Sequence, residues 1–199
     1  HLPQPHHARP PAPPAPRPPP GHPPLPPLTP PNRRTPTANS PPFTPAAELS
    51  PKREDYPPYL APDHENFRGV HAVRVLADVD DLTLDGLIEL AHDPYLPGFE
   101  KLIGGLLEAW EQVDDRDDVL AEPIRVLRDW DRATGKDSIA MSLAHFYGMN
   151  YLARATFPEG MSEMERITML GTATPPEQRL EVLAETVAML VDDFGDWRT

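Results

Sequence analysis

Few side chains in this sequence combine a reactive type with a useful spacing. His71, in GVHAVRVL, and His145, in SLAHFYG, lie on apolar, helically spaced stretches. There an imidazole serves either as a general base or as a hydrogen-bonded packing group. No nucleophile stands at a matching spacing beside either one, so both are expected to be packing histidines. In DVDDLTLDGLIE, Asp78, Asp80 and Glu89 fall at positions one, three and twelve of a calcium loop. Leu82 and Thr83 occupy the places where a ligand and a glycine are needed, so the expectation is a solvated turn leading into a helix capped by Thr83. Asp114, Asp115, Asp117 and Asp118 surround Arg116 with no histidine close in sequence, and this run reads as an exposed loop. G-x-S-x-G, a glycine-rich phosphate loop and H-E-x-x-H are all absent.

The elements that would position such residues are confined to the later part of the chain. Of 30 prolines, 24 lie within the first 62 residues, which leaves roughly the last 135 residues as foldable sequence, enough for one helical unit with a modest core. Charge divides near the same place. Residues 1–47 carry four arginines and no acid, whereas the remainder holds 14 basic and 31 acidic side chains, a balance of −17. Such an acidic body repels phosphate backbones, so a nucleic-acid partner is not expected. Nor is a membrane, because no run approaches the eighteen or so apolar residues of a span. The absence of cysteine removes disulfides and thiolate metal sites.

From Asn66 onward the apolar spacing is that of helices. Phe99, Leu102, Ile103, Leu106, Trp110 and Val113 form one stripe, and the mid-helix pair Gly104 and Gly105 implies close approach by a neighbour. Pro123 is expected to open a helix bearing Ile124, Leu127 and Trp130, and Asp137 or Ser138 to open another through SIAMSLAHFYGMNYL. Thr174 and Glu177 fit a capping box. Leu180, Leu183, Val187, Leu190 and Val191 form the last stripe, with Gly195 as its stop. The expected fold class is therefore mainly α.

Residues 1–37 are expected to form a disordered or polyproline II segment, since proline fixes φ and lacks an amide donor. Three readings of it stand. Arg17, Pro20 and Pro23 fit an R-x-x-P-x-x-P docking ligand for SH3 or WW grooves, which makes a helical scaffold with a docking tail the alternative function. An ordinary linker is the second. The third is out-of-frame translation, because His, Leu, Pro, Gln and Arg, whose codons begin with C, fill 28 of the first 34 positions. His1, His6, His7 and His22 read as solvated residues rather than a metal tract.

The stretch ANSPPFTPAAELSPKREDYPPYLAPDHENFRGVHAVRVL resembles part of the β-chain of the penicillin acylase family, which includes acyl-homoserine-lactone acylases. Asn39, Ser40, Pro41, Phe43, Tyr56, Pro57, Asn66, Arg68, Gly69, Ala72, Arg74 and Leu76 carry the likeness. It continues through DLTLDGLIELAHDPYLPGFEKLIGGLL and PIRVLRDWDRATGKDSIAMSLAHFYG to LVDDFGDWRT, covering residues 38–199. The resemblance implies the helical part of an αββα N-terminal-nucleophile hydrolase acting on linear amides. In such an enzyme a self-released serine, with its own α-amine as base, attacks the amide carbonyl. Asn39 is the position that matches the family's oxyanion-binding asparagine.

The resemblance further implies a small-molecule acyl amide as substrate, further α- and β-chain segments as partners, and a periplasmic or secreted parent. No cofactor is expected; some family members bind calcium, and no ligand set for it is visible. His1 cannot serve as the nucleophile and no glycine–serine junction occurs. The expectation is thus an internal piece that does not catalyse alone, preceded by a proline tract foreign to it.

Overall fold

The computed structural model describes residues 39–45, 50–77, 79 and 81–198. Among the described residues there are seven α-helices: α1 (Phe67–Ala77), α2 (Leu84–Ala91), α3 (Gly98–Gln112), α4 (Ala121–Arg128), α5 (Ile139–Arg154), α6 (Glu163–Thr172) and α7 (Pro176–Phe194). Among the described residues no strand forms, and the one isolated β-bridge joins Tyr95 to Ala133. The mainly helical architecture read from the apolar spacing is the one observed. No helix among the described residues is long and apolar enough to cross a membrane.

The core is built from α3 to α7. Leu102, Ile103 and Leu106 of α3, Leu143 and Tyr147 of α5, Leu170 of α6, and Leu183 and Leu190 of α7 are buried together. Burying each large apolar side chain contributes about 2 kcal/mol. The α3–α6 crossing is unusually close. A β-carbon on Gly105 would lie 1.6 Å from the Gly171 carbonyl oxygen, and one on Gly171 would lie 2.1 Å from the Lys101 carbonyl oxygen. Both glycines let the backbones touch. Gly104, expected to share that role, has nothing within 4 Å of its would-be β-carbon, because it faces away from α6.

Local sequence sets most helix ends. Thr83 Oγ1 accepts from the Gly86 amide at 3.0 Å, and Ser138 Oγ accepts from the Met141 amide at 3.2 Å. Ser162 and Glu165 form a reciprocal capping box at the start of α6. Gly195, at φ 83°, ends α7 in the left-handed conformation.

Four expectations are corrected. Thr174 does not cap α7, whose N-cap is Pro175. Its hydroxyl instead donates to Leu170 O (2.7 Å) and accepts from Tyr151 Oη (2.7 Å) and Arg179 Nε (3.2 Å), partners that turn it back onto α6. Trp130 lies beyond the end of α4, buried, with its indole N–H donating to Ala133 O at 3.0 Å. Val191 falls on the outer face of α7 and is exposed. His145 is not buried in packing but exposed, with its ring edge against Phe146.

Candidate functional site

Two regions that share α1 bring polar side chains together. The first is the connection that enters this helix. Asn66 Oδ1 accepts from the Gly69 amide at 3.0 Å, capping α1, while Asn66 Nδ2 donates to Ser40 Oγ at 3.3 Å. Gly69 is the buried residue of α1, and a β-carbon there would lie 1.8 Å from Ser40 Oγ. Only glycine admits the 39–41 turn at this distance. Thr44 donates to Glu65. Arg53 sits 4.9 Å over the Phe43 ring and donates to the carbonyls of Pro58, Leu60 and Ala61, folding the Pro-rich 57–61 stretch around itself. Phe43 and Tyr56 are in ring contact with centroids 5.8 Å apart.

Asn39, Ser40, Phe43, Tyr56, Asn66, Arg68 and Gly69 therefore form one contiguous unit, although up to 30 positions separate them in sequence. Asn39 is exposed at the outer edge of this unit, in the left-handed region at φ 55°. Asparagine is among the few residues that take this conformation readily. Its Oδ1 accepts from Arg68 Nη2 at 3.5 Å. A guanidinium only donates, so this contact engages the amide oxygen and not Nδ2 with its two N–H bonds. Arg68 stood in the sequence as part of the likeness without a role; its sign was a basic residue in the first turn of a helix capped by a side chain from the same motif.

The second region is a cleft of about 660 Å³ between α1 and α2 on one side and α3, α5 and α6 on the other. Its walls are largely apolar, with Phe67, Leu76, Leu90, Phe99, Met149 and Ile167 among them, and Arg68, His71, Asp93, Tyr95, His145 and Glu163 at the polar positions. His71 Nε2 lies 2.9 Å from Asp93 Oδ1, which also accepts from the Tyr95 amide at 2.9 Å. The amide bond first, and His71 second, hold the Asp93 carboxyl below the usual carboxylate range. The His71 ring stacks on Tyr95 at 5.7 Å, so its expected packing role is the observed one.

The His71–Asp93 geometry is that of a base and its orienting carboxylate, yet the residues lining the cleft include no serine, threonine, cysteine or lysine to activate. The cleft can bind. Asp114, Asp115, Asp117 and Asp118 are exposed; the first two lie in a loop, Asp117 caps a short 3-10 turn that Asp118 opens, and Arg116 donates to Val113 O and Glu111 O. Among the described residues no group of three His, Asp or Glu is arranged to hold a metal ion. The calcium-loop reading involves Asp78 and Asp80, which lie outside the described residues, as do the Arg17, Pro20 and Pro23 docking pattern and the N-terminal histidines.

The motif unit around Asn39 and the helices that follow it form one continuous stretch of chain. The family model of penicillin amidase matches residues 23–198, a span that begins within the proline-rich segment and runs through the whole helical body, and the chain belongs to the penicillin amidase family.

Proposed function

We propose that this chain is the helical part of an N-terminal-nucleophile acylase that hydrolyses linear carbon–nitrogen amides, with Asn39 as a donor to the oxyanion. The family is one of amide-hydrolysing enzymes, generally periplasmic or secreted, and that supports the reaction class and the compartment. The observation that supports the residue assignment is the Arg68–Asn39 contact, which takes up the amide oxygen of an exposed asparagine and does not use its N–H donors.

In this reading the serine hydroxyl, on a segment outside this chain, attacks the acyl carbonyl while its own α-amine takes the proton. The carbonyl oxygen becomes an anion and accepts a hydrogen bond from Asn39 Nδ2. The carbon–nitrogen bond breaks, the amine leaves with the proton, and water then cleaves the acyl ester. A donor of this kind contributes about 3–4 kcal/mol to the transition state. Its exposure suits it to meet a partner surface that carries the nucleophile.

The 199-residue chain incubated alone with an acyl amide is expected to give no turnover above buffer. The complete protein, nucleophile included, is expected to give a burst of acyl-enzyme. Turnover by the isolated chain would place the active centre elsewhere.

A further inference from the structure

Helix α1 carries the Asn39 unit on one end but is weakly rooted in the core. Its buried residue is Gly69, and Phe67 packs against the core only in part. Ala72, Val75 and Leu76 are half-buried along the cleft, and polar contacts add to them. Arg74 Nη1 lies 2.5 Å from Glu100 Oε1, an oxygen that also accepts from Tyr95 Oη at 2.5 Å. The Arg74 guanidinium sits 4.9 Å over the Tyr95 ring, and His71 meets Asp93 one turn away. All the receiving groups lie on the 93–100 segment.

That segment is fixed to the body. Leu96 N donates to Arg132 O and Thr134 N donates to Pro94 O, each at 2.8 Å, around the Tyr95–Ala133 bridge. Glu100 lies in the first turn of α3, whose residues Leu102, Ile103, Leu106, Ala109 and Trp110 belong to the core. A continuous chain of contacts therefore runs from the core through Glu100 and Asp93 to Arg74 and His71, along α1 to Arg68, and from Arg68 to Asn39.

We infer that the Arg74–Glu100 and His71–Asp93 clasp positions Asn39 for the reaction, acting through the rigid body of α1. This rests on the reading of Asn39 as the oxyanion donor. Arg74 and Glu100 touch no reacting atom in this arrangement. They are positioning residues, whose loss lets α1 shift and carries the Asn39 amide away from the place where charge develops. Misplacement of a catalytic group by about 1 Å is enough to slow a reaction by up to about a hundredfold.

The test uses Arg74→Met, Glu100→Gln and the charge-swapped Arg74→Glu/Glu100→Arg pair. In the chain itself, hydrogen exchange of the α1 amides is expected to rise about fivefold in Arg74→Met, with α5 and α7 unchanged, as suits a partly exposed ion pair. In the complete enzyme, kcat is expected to fall about fivefold at unchanged KM. The swapped pair should recover part of both. Unchanged α1 exchange in Arg74→Met would overturn the clasp. Unchanged kcat in Arg74→Met, alongside a large loss in Asn39→Ala, would overturn the positioning while leaving the proposed function standing. If Asn39→Ala itself left kcat unchanged, the oxyanion reading would fall and the positioning role with it.

Discussion

Gly105 of α3 and Gly171 of α6 bring their backbones into direct contact, with the would-be β-carbon of Gly105 only 1.6 Å from the Gly171 carbonyl oxygen. Backbone cannot swing aside as a side chain does, so Gly105→Ala forces the two helices apart. The expected loss is about 3 kcal/mol of unfolding free energy. Its neighbour offers the control. Gly104 has open space at the same place, and Gly104→Ala is expected to stabilise by up to about 1 kcal/mol through helix propensity alone. Denaturant titration of the two variants measures both signs.

Arg179 is 5 % exposed, and its guanidinium donates to Gly105 O, Thr174 O and Thr174 Oγ1 at 2.9, 2.7 and 3.2 Å. It thereby closes the end of α6 and pins α7 to the α3–α6 crossing. Arg179→Met leaves one buried and one half-buried carbonyl without these donors, at a cost of about 2 kcal/mol. Arg179→Lys is expected to recover little of this, because an ammonium lacks the planar fork that reaches three acceptors. Thermal unfolding of both variants checks the order.

The Tyr147 hydroxyl is buried with no hydrogen-bond partner among the described residues. Burial pushes its pKa well above the usual tyrosine value, and burial likewise raises that of Tyr151 against the opposing bond to Thr174. A folded-state pKa above the unfolded one means that this contribution is complete below about pH 10 and is lost as the pH rises further. Stability is therefore expected to decline on the alkaline side, and Tyr147→Phe to remove part of that decline while costing nothing at neutral pH. Unfolding transitions followed from about pH 8 to pH 11 would show it.

How much of this was legible beforehand differs by element. The stripes of α3 and α7, the stop at Gly195 and the caps at Thr83 and Ser138 follow from local spacing and side-chain reach, which the sequence displays directly. The start of α6 was equally legible, since Ser162 and Glu165 stand three apart, but the neighbouring proline and glycine masked it. Thr174 defeated the local rule because tertiary partners, Tyr151 and Arg179, competed for its hydroxyl. At the candidate site, Asn39 was visible only through a motif. Its contact with Arg68 depends on a 29-residue return of the chain to the head of α1, which no local pattern encodes. The same holds for the clasp of Arg74 with Glu100, which lie 26 positions apart.

Acid acts on that clasp. The Tyr95 amide and then His71 lower the Asp93 pKa, and the Tyr95 hydroxyl and then Arg74 lower that of Glu100. Both contributions are present above the ordinary carboxylate range and vanish as the pH falls through it, about pH 4 and below. Hydrogen exchange at about pH 3 is therefore expected to show α1 unprotected while the apolar core of α3, α5 and α7 stays closed. Simultaneous loss of all helices would mean that α1 is held by more than these carboxylates.

The most direct measurement is the steady-state hydrolysis of an acyl amide by the complete enzyme carrying Asn39→Ala. If the Asn39 amide holds the oxyanion, kcat falls by about 10²–10³ with KM little changed, because the bond forms only as charge develops. A variant with the kcat of the unmodified enzyme would contradict it.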